Sequence, residues 1–192
     1  MTDLHAALAF LDAHINLEAT AGRIQGLSLE RMRALCDVLG DPQDAFPVVQ
    51  VTGTNGKGSV TAMTTALLRA AGLGVGTYTS PHLESVTERL AYDGRPIDPD
   101  EFARIVGDLA ALEPMLADRP SYFELLTAAA FRWFADRPVD VAVVEVGLLG
   151  RFDATNVADA SVAVVTNVGK DHTDGEGDWR RRIAEEKVGI VK

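Results

Sequence analysis

The clearest chemistry in the chain lies in one short segment, Gly53-Thr54-Asn55-Gly56-Lys57-Gly58-Ser59. Glycines let a backbone close on an anion, and the amide hydrogens that open a helix present positive dipoles to it. In such a loop Asn55, Gly56, Lys57, Gly58 and Ser59 are the candidate contacts for the phosphates of ATP. Lys57 supplies a point charge to the β- and γ-phosphate oxygens, and the Ser59 hydroxyl is placed to ligate magnesium or a phosphate. The spacing departs from the standard form, because Gly58 stands between the lysine and the hydroxyl residue. A glycine-rich turn with no ligand is the plain alternative.

Such a loop requires a strand before it and a helix after it, and both are legible. Val48–Val51 has the apolar, β-branched character of a strand, and Ser59–Ala71 that of a helix ended by Gly72. Val75–Thr79, Val141–Gly147 and Val162–Gly169 read as further strands. Nearly unbroken apolar runs are expected where helices cover both faces of a parallel sheet. Leu4, Leu8, Leu11 and Ile15 recur at helical spacing, and Ser28 can cap a second helix carrying Leu29, Met32, Leu35 and Leu39. Pro99 suits the first position of another helix, and Ser121-Tyr122-Phe123-Glu124 opens one more with a capping-box pattern. The expected fold is therefore α/β: a P-loop-type, doubly wound, mostly parallel sheet with helices on both faces, preceded by a short helical pair.

Open parallel sheets bind ligands beyond the carboxyl ends of their strands. Reading each strand to that end gives the phosphate loop, then Thr79-Ser80-Pro81-His82, then Glu145, then Thr166-Asn167 followed by Asp171-His172. Glu145 interrupts an apolar run, where an uncompensated carboxylate is costly. Magnesium would balance it, and so would a buried ion pair, with Arg151 as the candidate partner. His172 reads equally well as a structural residue or a ligand, and Lys187 could be an exposed charge on the helix ending in Ala184-Glu185-Glu186-Lys187.

Composition narrows the classes. A formal charge of −10 and a pI near 4.8, with no basic cluster, argue against nucleic acid or an anionic membrane as partner. The lone cysteine, Cys36, lies among Met32, Leu35 and Leu39 and reads as core. One cysteine, and no basic or long apolar N-terminal run, point to a cytoplasmic protein.

Taken together, GTNGKGS, TSPHL (Thr79–Leu83), SYFELLTAAAF (Ser121–Phe131), EVGLLGRFDATN (Glu145–Asn156), DHT (Asp171–Thr173) and EEKVGIVK (Glu185–Lys192) carry a family resemblance. The chain resembles the folylpolyglutamate synthase/dihydrofolate synthase family within the Mur-ligase superfamily. About fifty residues precede the phosphate loop, fewer than the separate substrate domain of the cell-wall Mur ligases would need. The resemblance implies an ATP-dependent ligase: ATP phosphorylates the carboxylate of a pteroate or folate, and the amine of L-glutamate attacks the acyl phosphate. Another Mur-type amide ligase, or a truncated nucleotide-binding module without catalysis, is the rival reading.

Carried onto matching positions, the resemblance implies that Asn55–Ser59 bind nucleotide and that Ser80 and Glu145 hold a first magnesium. His172 would help hold a second, and Lys187 matches a lysine that is carbamylated in the family. Pterin contacts would come from Gln25 and Gly26, from Ser121, Tyr122, Phe123 and Glu124, and from Phe152, Asp153 and Ala154. Three of these have simpler roles open to them: Glu124 as the partner of Ser121 in the capping box, Ser80 as the cap of a turn, and Phe152 as core packing. Two departures stand out. Leu149 occupies a usual glycine position, and Asp174-Gly175-Glu176-Gly177-Asp178-Trp179 replaces the usual stretch beyond His172. Residues 1–192 are expected to form one Mur-ligase-type ATP-binding domain without the family's C-terminal domain, its full-length form monomeric. Gly189-Ile190-Val191 reads as the start of another strand.

Overall fold

The computed structural model describes residues 3–16, 28–170 and 175–192. Six strands form one sheet: β1 (Val48–Thr52), β2 (Val75–Tyr78), β3 (Leu90–Tyr92), β4 (Arg95–Pro96), β5 (Val141–Glu145) and β6 (Val162–Val165). Their spatial order is β4-β3-β2-β5-β1-β6. The pairs β2–β5, β5–β1 and β1–β6 are parallel, whereas β3 runs antiparallel to β2 and to β4. Among the described residues the α-helices are α1 (Leu4–Asp12), α2 (Glu30–Leu39), α3 (Lys57–Ala70), α4 (Pro99–Leu112), α5 (Tyr122–Ala135) and α6 (Trp179–Lys187).

Strand alternation divides the core. On one face Val51, Val75, Val141 and Val143 meet Val60 and Leu68 of α3. On the other, Val48, Tyr78, Ala142 and Val144 pack with the buried sides of α1, α2, α4 and α5. The helix α5 is buried almost all round, as its apolar sequence requires. It approaches the sheet closely because Gly76 has no side chain: a Cβ there would lie 3.0 Å from the ring of Phe134. The expected capping box is present, with the Glu124 N–H donating to Ser121 Oγ at 3.3 Å and the Ser121 N–H to Glu124 Oε2 at 2.6 Å. Cys36 is buried in the core, and burial pushes its thiol up to about 12, as an inert packing residue requires.

Three expectations need correction. The β3–β4 hairpin lies in a segment that the sequence left without strands; its strands are too short to carry a visible alternation. Gly189-Ile190-Val191 does not extend as a strand: Val188–Ile190 is a single 3-10 turn continuing α6. Gly189 lies tight against Arg151, where a Cβ would sit 2.6 Å from the arginine Cβ, and this contact fixes the turn. The last strand also ends early, at Val165, so Thr166–Gly169 is free to serve a different purpose. Among the described strands β6 pairs with β1 alone, and Val162 at its start is half exposed.

Phe134→Ala should cost about 3–5 kcal/mol, the usual range for emptying a buried aromatic site. It removes the ring that meets Gly76 and the edge-on contact with Phe46 at 5.9 Å between centroids. Urea unfolding followed by circular dichroism measures the loss.

Candidate nucleotide and metal site

Strand β1 lies between β5 and β6, and the chain leaves it toward β2 on one side before returning to form β6 on the other. A reversal of this kind opens a crevice at the strand's carboxyl end, where phosphate-binding loops sit. Here Gly53–Gly56 joins β1 to α3, with Gly56 in the left-handed region at φ 81° as the N-cap. Only glycine adopts that conformation at little cost. The helix begins at Lys57, two residues earlier than its sequence suggests, so Lys57, Gly58 and Ser59 all lie in its first turn.

The loop is held from outside by the residues that follow β6. The Thr54 N–H donates to the Asn167 carbonyl at 3.3 Å, and the Asn55 N–H to Asn167 Oδ1 at 3.1 Å. Thr166 Oγ1 and Asn167 Nδ2 both donate to the Asn55 carbonyl, at 2.7 and 3.0 Å. The Gly169 N–H donates to Thr54 Oγ1 at 3.0 Å. Gly53 admits this clasp, since a Cβ there would lie 1.8 Å from Thr166 Oγ1. Lys57 Nζ donates back to the Gly53 carbonyl at 3.1 Å, which folds its charge over the loop.

At the carboxyl end of β5, Glu145 is 4% exposed. The Ser80 N–H, from the segment after β2, donates to its Oε2 at 3.4 Å. Glu145 also faces α3, because a Cβ on Gly58 would lie 3.7 Å from that same oxygen. Ser80, Glu145 and the first turn of α3 therefore meet at one point. Arg151 turns elsewhere, donating to the Glu185 carbonyl at 3.2 Å, so it is not the partner expected for Glu145. The carboxylate and the Ser80 and Ser59 hydroxyls are hard oxygen donors that fit magnesium. No cluster of three His, Cys, Asp or Glu side chains occurs among the described residues. One carboxylate with hydroxyls suits a magnesium ion that keeps phosphate oxygens and waters as its other ligands.

The remaining candidates separate. Lys187 ends α6 with 1% exposure, so it is not the surface charge that its helix suggested. His172, Gln25 and Gly26 lie outside the described residues. Ser121, Tyr122, Phe123 and Glu124 are all buried. Phe123 packs under Gly147, where a Cβ would lie 2.6 Å from its ring, and Glu124 accepts from Arg31 Nε at 3.2 Å in addition to closing its capping box. Arg31 was not singled out in the sequence; it lies 93 positions from Glu124 and no local pattern pairs them. Arg89, also missed, is buried with Nε donating to His82 Nδ1 at 2.9 Å and its guanidinium 5.7 Å from the Tyr122 ring centre. Phe152 is 41% exposed, which excludes core packing as its role.

Between β5 and Ala154 the chain makes a tight loop in which Leu149 holds φ 58°. A side chain in this region costs roughly 1–2 kcal/mol, so the loop keeps a glycine-like conformation without glycine. Asp153 organises it: its carboxylate accepts from the Leu148 N–H at 2.8 Å, the Thr155 N–H at 3.0 Å and the Thr155 hydroxyl. Burial nevertheless dominates and pushes the Asp153 carboxyl up from 3.8 to about 6, against the pull of those hydrogen bonds. The folded state thus holds this proton to higher pH than the unfolded chain does. The Asp153 contribution to stability should therefore fall as pH rises from about 4 to about 6 and then level off. Urea melts across that window should show this component in the native chain and lose it in Asp153→Asn.

Residues 51–192 match the family model described as the Mur ligase middle domain. The dihydrofolate synthase/folylpolyglutamate synthase of Mycobacterium tuberculosis is 48% identical over 178 residues, which are 85% of this chain and 36% of that protein. The chain thus spans about a third of that relative's length. The solved M. tuberculosis folylpolyglutamate synthase complexed with ADP and AMPPCP superposes with a TM-score of 0.85 at 44% identity, covering 99% of this chain and 42% of that one. A bifunctional folylpolyglutamate synthase/dihydrofolate synthase with Mn, AMPPNP and L-glutamate bound gives 0.86 at 36% identity, covering 99% and 44%. With strand order, phosphate loop and Glu145 in place, this chain belongs to the Mur ligase family, in its folylpolyglutamate synthase/dihydrofolate synthase branch.

Proposed function

We propose that this chain carries the nucleotide end of an ATP-dependent ligase that adds L-glutamate to dihydropteroate, to a reduced folate, or to both. The observation that carries the reading is the meeting of the clasped phosphate loop, Ser80 and buried Glu145 at one strand end. The nucleotide, manganese and L-glutamate bound to its structural relatives support it. The loop amides and Lys57 bind the β- and γ-phosphates and fix the terminal phosphorus for in-line attack by the substrate carboxylate. The bond from that phosphorus to the bridging oxygen breaks as ADP leaves, and an acyl phosphate forms. The glutamate amine then attacks the acyl carbon, loses a proton and expels inorganic phosphate, leaving the amide.

Glu145, Ser59 and Ser80 would hold magnesium, with His172 contributing to a second ion. Magnesium, when bound, would neutralise charge on the phosphates. Lys187, withdrawn from water at the end of α6, would carry a carbamate. Its ammonium would first lose a proton, and the amine so formed would take up carbon dioxide and lose a second, turning a cation into an anion. Ser121–Glu124 and Phe152–Ala154, with Gln25 and Gly26, would border the pterin, and half-exposed Phe152 would stack on it. No helix of the described residues is long and apolar enough to cross a membrane. The full-length enzyme would work as a cytoplasmic monomer.

Phosphate release by the full-length protein tests the reading. It should require glutamate together with dihydropteroate or a reduced folate, and release with neither pterin present as acceptor would overturn it. Lys57→Ala should weaken AMPPNP binding by about tenfold or more, the scale of one charge-assisted hydrogen bond, with the fold intact. Calorimetry with a parallel circular-dichroism melt checks both.

A further inference from the structure

At the opposite end of the sheet from the phosphate loop, where β2 and β5 begin, lies a solvent-open surface hollow of about 640 Å³, bordered mostly by exposed residues. Arg69 and Gly72 at the end of α3, Gly74, Tyr92, Arg95 and Asp140 border it, with Asp93, Leu73 and Pro138 completing the wall. None of the groups already assigned to nucleotide, metal or pterin is among them.

Its charges divide into two kinds. Each aspartate spends one oxygen on the backbone: the Gly74 N–H donates to Asp140 Oδ2 at 2.7 Å, and the Val75 N–H to Asp93 Oδ1 at 3.0 Å. Asp140 Oδ1 and Asp93 Oδ2 have no such bond among the described residues and remain able to accept. Arg69 and Arg95 make no ion pair or side-chain hydrogen bond among the described residues. Arg69 lies over the β3–β4 turn, where Gly94, at φ 74°, has no Cβ to obstruct it; one would sit 2.5 Å from the arginine Nη1. Gly74 likewise keeps the floor clear, since a Cβ there would lie 2.7 Å from the Pro138 carbonyl and 2.8 Å from the Tyr92 hydroxyl. That hydroxyl ties the two walls together by donating to the Pro138 carbonyl at 3.2 Å.

Two guanidiniums and two half-used carboxylates that border one hollow offer complementary partners to a ligand carrying both signs of charge. Each guanidinium fork matches a carboxylate in two-pronged fashion, and the free aspartate oxygens match an ammonium group. We infer that this hollow binds a free acidic α-amino acid, whose two carboxylates meet Arg69 and Arg95 and whose ammonium meets Asp93 and Asp140. Leu73 and Pro138 offer apolar contact to the short methylene stem, and the volume admits such a molecule with room for water. The assignment does not depend on the ligase reading, because it uses none of that site's residues.

Titration of the full-length protein, labelled with nitrogen-15 at glycine and saturated with magnesium and AMPPNP, tests it with L-glutamate as the probe. The amide signals of Gly72, Gly74 and Gly94 report this hollow, and those of Gly56 and Gly58 report the phosphate loop. Saturable movement of the first three is expected, weakened about tenfold or more by Arg69→Gln with Arg95→Gln, while the response of Gly56 and Gly58 to nucleotide stays unchanged. Asp140→Asn keeps the acceptor for the Gly74 N–H but loses the charge, so it should weaken L-glutamate and not glutarate, which has no ammonium. Still signals at Gly72, Gly74 and Gly94, equal movement in the double arginine variant, or glutarate binding as tightly as L-glutamate would each overturn the inference.

Discussion

The carboxylate of Glu145 is the constraint around which the carboxyl end of the parallel strands is arranged. It stands at the end of a strand flanked by two parallel neighbours, four residues of unbroken apolar sequence behind it, and it is almost wholly withdrawn from water. A charge in that position destabilises the fold unless something compensates it. The elements around it converge accordingly. The segment after β2 brings the Ser80 amide to the carboxylate, and Gly58 brings the positive end of α3 to within a methyl group's reach of it.

A second constraint acts on the loop itself. A glycine-rich loop is free to take many conformations, and holding it open for phosphate costs entropy that must be met before the ligand arrives. The clasp by Thr166, Asn167 and Gly169 meets it in advance, using the backbone and side chains of the segment after β6. The position of that segment depends on β6 lying beside β1, so sheet order and loop geometry are coupled. The loop after β5 is pre-set in the same way by Asp153, whose three local bonds hold Leu149 in a conformation it would otherwise avoid.

Local patterns made much of this legible in the sequence. The strand, glycine-rich loop and helix around Lys57 follow one another without interruption, and the apolar runs of β2, β5 and β6 announce a parallel sheet. Glu145 stood out because a carboxylate in such a run requires a reason. What escaped was non-local or short. The pairing of Arg31 with Glu124 and the clasp of Asn167 on Asn55 join residues far apart in the chain, and no spacing rule connects them. Leu90–Tyr92 and Arg95–Pro96 are too brief to show a period. Gly189-Ile190-Val191 has strand-like residues, yet Val188–Ile190 folds as a 3-10 turn with Gly189 packed against Arg151. The burial of Lys187 is likewise decided by packing, since α6 is otherwise a polar helix.

The central claim is that buried Glu145 serves a metal rather than a purely structural pairing. Manganese binding to the full-length protein in the presence of AMPPNP, followed by electron paramagnetic resonance, tests it most directly in the native chain and in Glu145→Gln. The account predicts that manganese affinity falls by about tenfold or more in a variant that keeps its fold, as loss of one charged ligand implies. Unchanged manganese affinity in Glu145→Gln, with the loss appearing only as reduced stability toward urea, would contradict it.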